Sequence, residues 1–521
     1  MALADKGRSS IPLRLRAGWG KLDPARRVLI VVLLLLLVGL LVRGLLGGLT
    51  SLAIFSHPFQ LDESEGMIVA ETMLLDKGTN IYAVPTPDLF VAAPYPPLFY
   101  LLGWPLQHLA GDAPTFKAGR AISIVATLLA GVAIFGIVVA VTKQRLGGAL
   151  AAAAWWSLGL VTFWGGLVKP DMLALTFGLG GLWWLVARPP SQVWWALPFF
   201  WGAFYTKQTA IAAAVAAVGW LLFTRPKTGL VFGAAYASGV VIPTLLLNQM
   251  TDGGYFYHMF TVHDLPWSPE RALGFAGQFL GTYGLLLVPG MLAILVAALL
   301  WLQARLRKQP QHIERDGALL LFFYLGMSLF AASGTGTLGG NHNHLLEWAA
   351  ASCLGIGLVF DVVWCGPPAR RPPTRVSAAG VLVCLVMLAQ VPLLFGVPVW
   401  LKLEFGMLSQ NQVEGMTNIV QYVTNNGGRA YSDNVGLLLL AGKPLWTTDP
   451  YTQTHATFFK RWDETKLVEA ITRKSFSQVI LRIDIDEQGD AAGDVSPRIL
   501  QAVRDNYKLD QRNVENIYVP K

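Results

Sequence analysis

Hydrophobic residues in this chain are bunched into long runs separated by short polar links. The runs lie at 28–49, 120–142, 146–163, 171–187, 193–206, 208–223, 228–247, 282–303, 317–333, 345–364 and 376–399. A helix that crosses a bilayer needs about twenty apolar residues, with latitude for tilt, so the pattern predicts a polytopic α-helical membrane protein of about eleven spans. The pair 193–206 and 208–223 is short and interrupted by Lys207. The run 96–110 is also short and contains Pro105, and a crossing there would invert every later link. It predicts an interfacial or re-entrant helix in the first outer loop, with Tyr100 and Trp104 at headgroup level.

From about Leu403 the pattern changes. Helix-like stretches (Glu414 to Thr424, Glu464 to Thr472) alternate with the β-branched run Val479-Ile480-Leu481-Arg482-Ile483. Gly427-Gly428 and Gly442-Lys443-Pro444 supply turns. Residues 403–521 therefore predict a small C-terminal α/β soluble domain with its own core. No inverted internal repeat of the kind found in many transporters is visible.

Charge orients the spans. With a cytoplasmic basic N-terminus over residues 1–27, every second link is basic, as the positive-inside rule requires. These links hold Arg14, Arg16, Lys21, Arg26 and Arg27, then Lys143 and Arg145, Arg188, Arg225 and Lys227, Arg305, Arg307 and Lys308, and Arg370, Arg371 and Arg375. The expected location is the inner or plasma membrane, with transmembrane residues 28–402 and an extracytoplasmic C-terminus. The run from Val28 to Leu49 is too long for a signal-peptide core and reads as a retained anchor. Charged residues make up 14% of the chain, against about 25% in soluble domains. The net charge of +8 sits in the cytoplasmic links, so it reports topology rather than nucleic-acid binding. Cys353, Cys365 and Cys384 fall in or beside apolar runs and predict no disulfide framework or cysteine metal site.

The alternate links collect a different chemistry. The first offers Asp62, Glu63, Glu65 and Glu71; the second Lys169-Pro170-Asp171; the third Lys207-Gln208-Thr209. The fourth carries Tyr255, Tyr257, His258, His263, Asp264 and Arg271, and the fifth reads Gly339-Gly340-Asn341-His342-Asn343-His344, with Glu347 just beyond. Each has an ordinary structural reading: Asp171 as a helix N-terminal residue favoured by the dipole, Lys169 and Lys207 as snorkelling cations. Taken together, lysines that give phosphate a point charge and a carboxylate placed to act as general base predict a pocket for a phosphorylated ligand whose lipid tail lies in the bilayer. Metal-ligand spacing is absent, and a divalent metal is left open.

Asp62-Glu63 opening the first outer loop, then Gly78, Asn80 and Tyr82, then Tyr95-Pro96-Pro97-Leu98, resembles the GT-C superfamily of integral membrane glycosyltransferases, in particular bacterial relatives of protein O-mannosyltransferases and lipid A aminoarabinose transferases. Lys169 to Leu175, Thr206 to Thr209 and Asn341 to His344 are similar to later loop elements of that group, in the same order. The resemblance implies transfer of a sugar, with inversion, from a polyprenyl-phosphate donor to an acceptor hydroxyl on a lipid, glycan or protein at the outer face. It assigns catalysis to Asp62 and Glu63, and the donor phosphate to Lys207, Lys169 and His342. Asp171, Glu65, Tyr95, Gln208, Asn341 and His344 fall to the acceptor and substrate, with any metal site unassigned. Two other readings are a transporter or flippase, to which the intramembrane Arg43 and Glu347 point, and an O-antigen-ligase-like transferase built on Arg271, His258 and His263.

Overall fold

The computed structural model describes residues 23–111, 113–307, 313–365, 378–396, 409–485 and 495–521. Most of the basic N-terminal segment, the arginines at 370–375 and the domain boundary near 403 lie outside these residues. Helix covers most of the described part of every apolar run. Six helices are each long and apolar enough to cross a membrane: Pro24–Ser56, Lys117–Thr142, Pro226–Met250, Pro269–Leu306, Asp316–Gly336 and His342–Val363. Shorter apolar helices lie at Asp171–Ala187, Ala212–Thr224 and Ala378–Leu394.

Two of the expected spans are not single α-helices. The run 146–163 divides into Arg145–Ser157 and Gly159–Trp164 because Leu158 is extended. Irregular backbone at membrane depth persists only where protein groups satisfy it. Here the Leu160 N–H donates to the Tyr283 hydroxyl at 3.0 Å. The run 193–206 begins as a 3-10 helix, Pro190–Ala196, and continues as Leu197–Thr206. It stops where Lys207 turns extended, so the lysine lies at a helix end rather than inside a span.

The first loop folds into two helices. Glu63–Asp76 is started by Asp62, whose carboxylate accepts the Ser64 N–H at 3.0 Å, with Glu63 and Glu65 in its first turn. The run 96–110 forms the short helix Leu98–Leu109, whose exposed face holds Leu101, Leu102, Trp104, Leu106 and Leu109. Tyr100 corrects the expectation of a headgroup position. It belongs to the inner stripe Phe99, Tyr100, Gly103 and Gln107, is 1% exposed, and donates its hydroxyl to Glu71 at 2.7 Å.

The C-terminal region carries a four-stranded mixed sheet of β1 (Arg429–Ser432), β2 (Phe476–Leu481), β3 (Tyr507–Arg512) and β4 (Asn516–Pro520), in the order β1-β2-β4-β3. The β1–β2 pair is parallel and the other two pairs are antiparallel. Alternate residues feed two faces. Tyr431, Phe476, Val479 and Tyr518 pack with helices Thr465–Thr472 and Pro497–Asn506. Ala430, Ile480 and Ile517 pack with Met416, Ile419 and Val423, and Phe59 from the membrane region joins that second core.

A further cluster unites Met67, Phe90, Phe99 and Tyr100 of the first loop with Val435, Leu439 and Ala456. Helices Glu63–Asp76 and Val435–Leu440 approach at Gly66 and Gly436, where a Cβ on Gly66 would stand 2.7 Å from the Gly436 nitrogen. The Phe90 N–H donates to the Trp446 carbonyl and the Thr448 N–H to the Phe90 carbonyl, both at 2.9 Å. The C-terminal region thus shares buried surface with the loop that carries Asp62.

Candidate active site

Two lysine–aspartate pairs define the site. Lys169 reaches Asp62 at 3.0 Å, and Lys207 reaches Asp171 at 2.6 Å. They are neighbours because Lys169 and Asp171 flank Pro170 at the start of helix Asp171–Ala187, so one turn of chain serves both pairs. The Lys169 ammonium also lies over the Trp164 ring, 4.5 Å from its centroid. Asn343 donates to the Asp171 Oδ1 at 2.9 Å, while Asp171 Oδ2 is buried with no partner among the described residues. An orphaned carboxylate oxygen in a buried site is costly unless a ligand completes it.

Asp171, Lys207 and Asn343 line a cavity of 680 Å³, with the Asp62–Lys169 pair outside its lining. Its polar wall holds Tyr95, Asp171, Lys207, Gln208, His263, Asn343, His344, Glu347 and Asp449. Much of the rest is apolar, including Phe260, Leu265, Trp267, Met327, Phe330 and Leu338. Phe260, Trp267 and Phe330 are also exposed on the outside of the molecule, so the apolar wall reaches the surface. Burial, together with the charges of Asp171, Asp62, Asp449 and Glu71, pushes the Tyr95 hydroxyl well above its usual pKa. Tyr95 thus lies amid carboxylates from both pairs. Burial also lowers His263 to about 4, and its Nε2 has no partner.

The structure separates the remaining candidates. Glu63 lies next to Asp62 in sequence but pairs with Arg482 of the C-terminal region, which also approaches Asp433. Glu65 is completely buried: Arg120 holds both its oxygens at 2.8 Å, and the N–H groups of Leu61 and Val168 donate to it. Arg120 also donates to the carbonyls of Ile54, His57 and Phe59, which makes the pair the hinge pin between the first span and the first loop. Asn341 caps the 3-10 turn His342–Leu345, and His342 packs on Phe275 and approaches Gln278 at 3.2 Å; neither lines the cavity.

Of the groups behind the alternative readings, Arg43, Arg271 and His258 are tied into the fold, while His263 and Glu347 line the cavity. Arg43 is buried and donates to the Leu394 carbonyl at 2.9 Å. Arg271 donates to the carbonyls of Thr335 and Gly340. His258 sits between the carbonyls of Ala92 and Ala83. Among the described residues no three His, Cys, Asp or Glu side chains converge as a metal site. Cys353 and Cys384 are free and buried.

Asp449 is the site residue that sequence reasoning missed. It caps helix Pro450–Phe458 by accepting the Thr452 N–H at 3.2 Å, and Asp-Pro before a helix gives a cap signal and nothing more. Its place in the cavity wall depends on docking of the C-terminal region.

No protein-family model matches the chain, and no curated protein does. Solved structures do. ArnT from Cupriavidus metallidurans bound to undecaprenyl phosphate is 12% identical, with a TM-score of 0.56 over 92% of this chain and 97% of that one. The same protein in its apo state gives 11% and 0.58, over 97% and 98%. The archaeal oligosaccharyltransferase AglB from Archaeoglobus fulgidus, in complex with an inhibitory peptide and a dolichol-phosphate, gives 10% and 0.55, over 92% of this chain and 74% of that one. At such identities the likeness is one of architecture: the chain is a polytopic helical membrane protein that shares the fold of these structures and carries a small C-terminal sheet.

Proposed function

We propose that the protein transfers a sugar from a polyprenyl-phosphate donor to an acceptor hydroxyl at the outer face of the membrane. The observation that carries this reading is the pairing of Asp62 with Lys169 and of Asp171 with Lys207 beside a cavity whose other wall is apolar and reaches the surface. A lipid phosphate matches that division. Its prenyl chain lies along Phe260, Trp267 and Phe330, and its phosphate meets Lys207, which has three donors and spends one on Asp171. Solved proteins of the same architecture hold undecaprenyl phosphate and a dolichol-phosphate.

In this reading Asp62 takes the proton of the acceptor hydroxyl as the oxygen attacks the anomeric carbon. The bond from that carbon to the phosphate oxygen breaks, and the leaving polyprenyl phosphate gains negative charge. Lys207 stabilises that charge where it develops, and Lys169 fixes the Asp62 carboxylate. The free Oδ2 of Asp171 accepts from a hydroxyl of the substrate. Attack from the side opposite the leaving group gives inversion.

The test is turnover by the purified protein in lipid nanodiscs, supplied with a panel of polyprenyl-phosphate sugars and candidate acceptors, following release of free polyprenyl phosphate. Release by the wild-type protein that is lost in Asp62→Asn supports the reading. A protein that neither binds polyprenyl phosphate nor releases it from any donor rejects it.

A further inference from the structure

Glu347 has no role in the chemistry above, yet it is a carboxylate in the first turn of an apolar helix, Leu346–Cys365, and it lines the cavity. Ionisable groups at such positions are costly and are retained where they serve a ligand or a path. No cation pairs with it among the described residues. Its Oε2 accepts from the hydroxyl of Tyr324 at 2.5 Å; that ring is completely buried and so cannot swing away. Oε1 makes no hydrogen bond to a described residue. His344 precedes it by one turn and lines the same cavity, as do Gln208 and Lys207.

On the reading that the donor is a polyprenyl-phosphate sugar, we infer that Glu347, held by Tyr324, is a specificity-determining residue that hydrogen-bonds the hydroxyls of the donor sugar. The chemistry selects that partner. A carboxylate repels the phosphate, so it does not serve the anionic part of the donor. A prenyl chain offers it nothing, and burial against one leaves the oxygen unsatisfied. A sugar hydroxyl is both donor and acceptor and satisfies Glu347 in either protonation state. A polar group placed to bond a hydroxyl rejects a substrate that lacks it far more strongly than an apolar pocket senses one methylene, because the buried partner is left unpaired.

The experiment compares wild type, Glu347→Ala, Glu347→Gln and Tyr324→Phe in nanodiscs. It measures binding of free polyprenyl phosphate, binding of sugar donors with the same prenyl chain that differ in single hydroxyls, and kcat/KM for each donor. The expected result is an unchanged affinity for free polyprenyl phosphate in all variants. Glu347→Ala then loses roughly 10- to 100-fold in kcat/KM for the preferred donor, the range of one hydrogen bond to a charged group, and far less for the donor lacking the matching hydroxyl. Glu347→Gln and Tyr324→Phe fall between. An equal loss for every donor and for free polyprenyl phosphate would mean that Glu347 merely supports the pocket, and would overturn the inference while leaving the proposed function standing. So would an unchanged donor preference. A wild-type protein that binds sugar donor no better than free polyprenyl phosphate also rejects the subsite. One that binds neither rejects the subsite and the function together.

Discussion

Lys207 Nζ lies 2.6 Å from Asp171 Oδ1 at the buried end of the cavity, and each group is the other's main charge compensation. Removing one member of such a pair strands the other, which costs about 3–5 kcal/mol in typical cases, whereas removing both is often close to neutral. Lys207→Met is therefore expected to lower the unfolding temperature in nanodiscs, and the double variant Lys207→Met with Asp171→Asn to recover most of that loss. Binding of polyprenyl phosphate should stay weak in both, because the phosphate has lost its cation. Recovery of binding along with stability in the double variant would remove Lys207 from the donor site.

Asp62→Asn tests the base. Asparagine retains a side-chain oxygen to cap helix Glu63–Asp76, so folding, membrane insertion and donor binding should survive. General-base catalysis contributes roughly 10²–10⁴-fold, and kcat should fall by that order with KM for the donor little changed. An Asp62→Asn protein with near-normal kcat would end the assignment.

Glu71 makes stability depend on pH. It is completely buried, accepts from Tyr100, the Ala93 N–H and Thr448, and burial raises its pKa from 4.5 to about 7 despite those donors. Between those values the native state holds a proton that the unfolded chain has released. The unfolded state binds fewer protons there, so stability falls as pH rises. The contribution is complete below about 4.5 and lost above about 7, on the order of 3 kcal/mol in all. Wild type should unfold at a lower temperature at pH 8 than at pH 5, and Glu71→Gln should flatten that slope. An equal slope in the variant would assign the dependence to other groups. Thr448 belongs to the C-terminal region, so limited proteolysis of that region should show the same trend.

That the chain is a polytopic helical membrane protein was legible in the sequence because a bilayer forces each backbone to satisfy itself, which leaves the hydropathy pattern little freedom. The break at Leu158 was hidden because its compensating hydroxyl, on Tyr283, is 123 positions from Leu160. Asp62, Lys169, Asp171 and Lys207 were readable as chemistry near helix ends; that they form two pairs was not. Glu63 and Glu65 looked like companions of Asp62. A helix turns about 100° per residue, so Glu63 and Glu65, two residues apart, leave on nearly opposite sides, one toward Arg482 and the other toward Arg120. The C-terminal region shares a core with the first loop, a long-range contact that no local pattern announces. Deleting it would expose Phe59, Met67 and Phe90, so truncation would disturb donor and acceptor functions alike.

A point change in that region is the sharper probe, and Asp449 supplies it. Asparagine caps a helix about as well as aspartate, so Asp449→Asn should leave helix Pro450–Phe458 and the unfolding temperature within about 0.5 kcal/mol of wild type. What it removes is a carboxylate on the cavity wall, contributed by the C-terminal region. If the C-terminal region serves the acceptor, KM for the acceptor should rise while donor binding, and donor hydrolysis measured without acceptor, stay within twofold or so of wild type. Donor binding that weakens while acceptor KM holds would place Asp449 on the donor side. No change in either would reduce it to the cap that its sequence context suggests.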